Sequence, residues 1–185
     1  MKSRINNGRP WHSPSHAEGR TRHHLTAACY EHRPIIGATE SRMRDFEATI
    51  LDILGGLTET VHAWAILPNH YHVLVGGDRI LEVVRALGRM HGRLSHQWNG
   101  EDSARGRKVW FNVLETGIKS DRHFWACVNY IHHNPVRHGY VSKWDDWPFS
   151  SAAAYLKTVG RERAKSIWRE YDISDMGADW DAKDM

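Results

Sequence analysis

The stretch Leu67-Pro68-Asn69-His70-Tyr71-His72-Val73-Leu74-Val75 decides how the chain is read. Pro68-Asn69 is a turn signal, and the apolar run behind it suits a buried strand. Successive side chains of a strand point to opposite faces, so His70 and His72 share one face while Tyr71, Val73 and Val75 share the other. Two imidazoles side by side on a strand form half of a metal site, and a half site needs a partner from elsewhere in the chain.

Working outward, residues 61–67 form a second apolar strand, and the two segments read as an antiparallel hairpin. Upstream, residues 22–30 suit a first strand with His24, Thr26, Ala28 and Tyr30 on one face. Residues 40–54 carry Met43, Phe46, Ile50, Ile53 and Leu54 at helical spacing, and Gly55-Gly56 is expected to stop that helix. Downstream, residues 79–98 form a long helix with the stripe Ile80, Val83, Leu87, Met90, Leu94 and Trp98. A strand is expected over 109–115. Ser120 or Asp121 then caps a helix that must end near Pro135, because proline lacks an amide proton and disfavours helical geometry before it. Residues 152–158 suit a short helix. The first six elements run strand, helix, strand, strand, helix, strand, which predicts an α+β fold: a ferredoxin-like, RRM-like antiparallel sheet with helices on one side.

The totals bound the possibilities. A chain of 185 residues with 41% hydrophobic and 10% aromatic content fits one folded domain with ragged ends. We divide it into a flexible basic arm over 1–21, a domain over 22–158, and a C-terminal extension over 159–185. The extension ends in an acidic tail with Asp172, Asp175, Asp179, Asp181 and Asp184. No apolar run approaches the ~20 residues of a membrane span, and the first residues lack a signal-peptide core, so a cytoplasmic protein is expected. Two cysteines, Cys29 and Cys127, exclude a disulfide framework and a four-cysteine zinc module. The formal charge of +3 points only weakly to a polyanion. Its placement says more: Arg85, Arg89 and Arg93 recur every fourth residue on one helix, with Arg105 and Arg107 in the loop after it. Like charges at this spacing repel, and either solvent or a phosphate backbone would relieve them.

The missing half of the site is found on the last core helix. Tyr130 and Asn134 are four apart, hence one turn apart on one face, away from the stripe of Phe124, Val128 and Ile131. An Asn oxygen suits a hard cation such as Mg²⁺ or Mn²⁺ already held by two imidazoles. A tyrosine beside such an ion is positioned to attack a phosphodiester, with the cation stabilising charge on the leaving oxygen. Taken singly, each of these residues has an ordinary structural explanation; their combination is what points to chemistry.

His70-Tyr71-His72 has the form of an HUH motif, and Tyr130-Ile131-His132-His133-Asn134-Pro135-Val136 resembles the nucleophile helix of single-tyrosine HUH transposases. With Leu67-Pro68-Asn69, Arg137-His138-Gly139 and Trp147-Pro148-Phe149-Ser150-Ser151, the chain over about 22–156 most resembles the REP-associated tyrosine transposases. The resemblance implies the HUH endonuclease fold and a metal-dependent strand-transferase acting on single-stranded, hairpin-bearing DNA. It implies that Tyr130 attacks the scissile phosphate to give a 5′-phosphotyrosine, with His70, His72 and Asn134 holding the divalent ion. The wider group often has Gln at that third position. Either a monomer or a homodimer is compatible, and a monomer is favoured. Two other readings use the same residues: a hairpin DNA- or RNA-binding protein that no longer cleaves, and a phosphodiesterase in which the histidine pair activates water.

Overall fold

The structure is a computed structural model, and it describes residues 21–171, 173 and 176. The expected basic arm, Thr21 apart, and nearly all of the acidic tail lie outside the described residues.

Four antiparallel strands form one sheet in the order β2-β3-β1-β4: β1 (Arg22–Ala28), β2 (Thr60–Ile66), β3 (His70–Gly76) and β4 (Leu114–Gly117). One helix crossover joins β1 to β2, a hairpin joins β2 to β3, and a second crossover joins β3 to β4, which is the ferredoxin-like arrangement the element order predicts. The register sets Thr26 opposite His72 and Ala28 opposite His70. The alternation therefore holds across strands. One sheet face presents Leu25, Ala27, Tyr71, Val73 and Val75, and the other presents His24, Thr26, His70 and His72.

The apolar face is covered by α1 (Glu40–Leu57) and α2 (Ile80–Glu101). Phe46, Ile50 and Leu54 from α1 meet Val83, Leu87 and Met90 from α2 over it, all 2% exposed or less. Removing this much apolar area from water is what holds the sheet to its helices. Gly55-Gly56 does not stop α1. A Cβ at either glycine would meet nothing within 4 Å, and the helix ends two residues later where the Thr58 hydroxyl donates to the Leu54 carbonyl at 2.8 Å. Arg42, buried under this layer, bonds to Glu101 and Asp102 and ties α1 to the end of α2.

The fourth strand comes later than expected. Trp110 makes a single bridge to Cys29, and regular pairing with β1 begins only at Leu114. The indole of Trp110 instead stacks on His91 at 4.1 Å, so this segment packs as a plug rather than as a strand.

The polar sheet face is covered by a third helix, α3 (Asp121–Arg137), followed by α4 (Ala152–Val159) and α5 (Arg161–Glu170). Ser120 caps α3 by accepting from the His123 amide at 3.1 Å. Pro135 lies inside α3, which runs two residues beyond it. Cys127, Val128, Tyr130 and Ile131 pack against Ala63, Ala65, Leu67 and Leu74 in a second, smaller core. The helix α5 was not foreseen: within 159–185 it docks on α3 through Asn129, whose amide nitrogen donates to the carbonyls of Ile167 (3.2 Å) and Tyr171 (2.9 Å).

Candidate nucleic-acid-processing site

The site lies where α3 crosses the polar face of the sheet. Its fixed half is β3, a central strand bonded on both sides, which leaves His70 and His72 little freedom. The turn before it is held as firmly. The Leu67 amide donates to the His70 carbonyl at 2.8 Å, the Cys29 amide to the Asn69 carbonyl at 2.7 Å, and the Gly37 amide to the Pro68 carbonyl at 2.9 Å. At Gly37 the chain needs the missing side chain: an added Cβ would stand 2.4 Å from the Cβ of Pro68.

Asn69 sets the state of His70. Its amide nitrogen donates to the His32 carbonyl at 3.1 Å, which fixes which way the amide points. Its oxygen then faces Nδ1 of His70 at 2.7 Å, so Nδ1 carries the ring proton. In the neutral ring Nε2 therefore presents a lone pair, and it faces the amide oxygen of Asn134 at 2.9 Å. Two acceptors then converge on one point, an arrangement that a shared cation would satisfy. Two ligand atoms each about 2.1 Å from one ion and at right angles are about 3 Å apart, so this spacing fits a shared hard cation. His72 is the neighbouring donor, its ring 5.0 Å from that of His70. Its Nδ1 lies 3.3 Å from Nε2 of His24 on β1. Among the described residues no three His, Cys, Asp or Glu side chains gather round one point. His70, His72 and Asn134 are the residues that could hold a metal here, and an amide oxygen as third donor would suit a hard cation better than zinc.

Tyr130 stands on the same side of α3 as Asn134. Its ring lies edge-on to His72 at 5.2 Å and to His24 at 6.2 Å, with the guanidinium of Arg137 5.9 Å from its centroid. It is fully buried, contrary to the expectation that it lies away from the apolar stripe. The reason is that α3 is covered on two sides, by the sheet and by α5, so the buried arc is wider than one stripe. Beside the histidines a cleft of about 190 Å³ opens, lined in part by Thr26, His32, His70, His72, Phe111 and His138. The His138 ring is 4.9 Å from that of His70.

The structure thus brings His70, His72, Tyr130 and Asn134 together. It does not bring the arginines to them. Arg85, Arg89 and Arg93 are exposed on the outer side of α2, with the sheet between them and the histidines. Arg107 bonds to Asp102 at 2.6 Å and to the Asn99 oxygen at 2.9 Å, and Arg105 donates to the His96 carbonyl at 2.8 Å. Sequence reasoning missed Asn69 as the residue that orients His70, His24 as the neighbour of His72, and His138. The even spacing of His24 with Thr26 and Ala28 put it on the right face; its meeting with His72 depends on strand register, which no spacing gives.

No protein-family model matches the chain. It is 31% identical over 126 residues to the REP-associated tyrosine transposase of Escherichia coli (strain K12), an alignment covering 64% of this chain and 67% of that protein. A relative from Haemophilus influenzae is 33% identical over 103 residues, covering 50% of this chain and 58% of that protein. In three dimensions the chain matches a REP-associated tyrosine transposase solved bound to a REP hairpin. The TM-score is 0.59 and the identity 19%, over 85% of this chain and 90% of that one, which carries the fold. By fold and by sequence, this chain belongs to the REP-associated tyrosine transposase family.

Proposed function

We propose that the protein binds hairpin-bearing DNA of the REP type and cuts and rejoins a single strand beside the hairpin, with Tyr130 as nucleophile. The observation that carries this reading is the approach of His70 Nε2 and Asn134 Oδ1 to 2.9 Å, with the Tyr130 ring against His72. His70, His72 and Asn134 would hold a divalent ion, Mg²⁺ or Mn²⁺. Bound there, such an ion would supply Lewis-acid polarisation of the scissile phosphate and offset charge on the leaving oxygen. The Tyr130 oxygen forms a bond to phosphorus as the bond from phosphorus to the 3′-oxygen breaks. The phenolic proton is passed through solvent, and the departing oxygen takes up one proton to leave as a 3′-hydroxyl, so no net proton is released. The 5′-phosphotyrosine keeps the phosphodiester energy for the reverse attack that rejoins the strand. Arg85, Arg89 and Arg93 are proposed to meet the backbone of DNA reaching round to α2. Arg105 and Arg107, bonded internally, are proposed to act in the same surface only through their residual charge.

The test is incubation with single-stranded hairpin oligonucleotides and Mn²⁺ or Mg²⁺, followed by denaturing electrophoresis. A covalent adduct is expected from the wild type and none from Tyr130→Phe. An adduct that survives Tyr130→Phe names the wrong nucleophile, and cleavage without an adduct favours activation of water. The complete burial of Tyr130 supports a second reading, in which the chain binds the hairpin without cutting it. Hairpin binding with neither adduct nor cleavage would select it.

A further inference from the structure

A second cleft, of about 240 Å³, lies between α3, α4 and α5, on a different side of α3 from the sheet. Its walls are aromatic. Trp168 of α5 stacks on His133 of α3 with ring centres 3.6 Å apart and planes within 23°, and Trp144 lies over the same imidazole at 5.5 Å and 21°. Trp168 and His133 close on one another face to face, as packing of α5 onto α3 requires, yet the cleft beside them stays open and Trp168 is 38% exposed at its rim. The hydroxyl of Tyr155, another wall residue, is buried with no hydrogen-bond partner among the described residues. The rim carries Arg161, Lys165 and Arg169 from successive turns of α5. Arg161 is 3.7 Å from Asp145 and Lys165 is 3.0 Å from Glu162, whereas Arg169 has no carboxylate partner among the described residues.

Flat aromatic rings with a cationic rim are what an unpaired nucleotide needs: its base stacks on the rings and its phosphate meets the cations. We propose that this cleft holds one unpaired nucleotide of the strand flanking the hairpin, its base against Trp168 and its phosphate at Lys165 and Arg169. The proposal rests on the reading of the protein as a hairpin-DNA enzyme. Its geometry adds a reason for placement. Tyr130 and His133 are three residues apart on one helix of about 10–12 Å diameter, so a base fixed in the cleft sets the reach of the strand to Tyr130.

The test compares a blunt hairpin, the same hairpin with a four-nucleotide single-stranded extension on either end, and a single-stranded tetranucleotide pool alone. Binding is read by fluorescence anisotropy for the wild type, Trp168→Ala and Arg169→Glu. Both substitutions fall on the exposed side of α5, and circular dichroism checks that the fold is kept. The extension is expected to tighten wild-type binding about five- to hundredfold. Trp168→Ala should erase that gain and leave the blunt hairpin unchanged, and Arg169→Glu should erase most of it. If both variants keep the full gain, the cleft is not the nucleotide site, and the hairpin reading survives. If no hairpin binds but the tetranucleotides bind and lose affinity in Trp168→Ala, the hairpin reading fails and the cleft stands. If the wild type binds none of the three, both fail.

Discussion

Asn69 makes a sharp prediction because it touches only one atom of the proposed metal-binding set. Its oxygen accepts from His70 Nδ1 at 2.7 Å, and its nitrogen donates to the His32 carbonyl at 3.1 Å. Asn69→Ala removes both. The bare Nδ1 proton is then buried, for His70 is 5% exposed, and leaving it unpaired costs ~1–3 kcal/mol of stability. The ring also becomes free to turn Nε2 away from Asn134. Partners of this kind are worth about 10–100-fold in metal affinity, so Mn²⁺ should bind Asn69→Ala that much more weakly. Asn69→Asp separates the two effects. The carboxylate still accepts from Nδ1 and makes the ring more basic, so Mn²⁺ affinity is kept or raised. It can no longer donate to the His32 carbonyl, so stability falls as in the alanine variant. The assay is the loss of the free Mn²⁺ signal in electron paramagnetic resonance, alongside thermal unfolding without metal. The reasoning is refuted if Asn69→Ala binds Mn²⁺ as the wild type does, or if the aspartate binds it no better than the alanine.

Two further outcomes follow from residues away from the metal-binding set. His91 is buried and stacked on Trp110, and burial pushes it down to about 3. Between about pH 6.5 and 3 the unfolded chain therefore binds a proton that the folded chain refuses, and stability drops as pH falls, by about 1.4 kcal/mol per unit for this one group. Urea midpoints at pH 7, 6 and 5 should show that slope reduced by one proton in His91→Gln, with His132 supplying a similar remainder; an unchanged slope would show that His91 charges in the folded state. Gly37→Ala places a methyl where Pro68 already stands, which should cost ~1–3 kcal/mol and weaken Mn²⁺ binding by shifting the Pro68-Asn69 turn. A variant with wild-type melting temperature would mean that the turn is free to yield.

The parts of the fold that depend on local spacing were legible. Period-two alternation in β3 put His70 and His72 on the face opposite Tyr71 and Val73, and helical spacing found α1, α2 and α3. What the sequence hid depends on contacts between distant segments. α1 passes through Gly55-Gly56 because its last turn is exposed and Thr58 caps it, so the glycines carry only their propensity cost there. α5 buries just Ala164 and Ile167, too thin a stripe to stand out from a polar tail. Asn69 reads as a turn residue, and only its two bonds reveal a second role. The arginine row was visible in the sequence, but which side of the sheet it served was not.

Tyr130 raises a question of access that magnitudes can narrow. Cys127, Val128, Tyr130 and Ile131 are each 2% exposed or less against the sheet. At about 1.5–3 kcal/mol for each buried side chain, lifting α3 away would cost roughly 6–12 kcal/mol. That approaches the whole net stability of a domain, about 5–15 kcal/mol, so detachment of the helix amounts to unfolding. The cheaper route is at its C-terminal end. Pro135 has no amide proton to give the Ile131 carbonyl, so the last turns of α3 are the less firmly bonded ones. A local opening beyond Asn134 would lift the Arg137 guanidinium away from the Tyr130 ring while Asn134 and the turns before it hold. Hydrogen exchange read by mass spectrometry, with and without hairpin DNA, should then show residues 124–134 protected throughout and residues 136–140 exchanging faster once DNA is bound. Rapid exchange along all of α3 in the DNA-bound protein would mean that the helix does come away, and that the burial of its apolar face is offset by contacts to DNA.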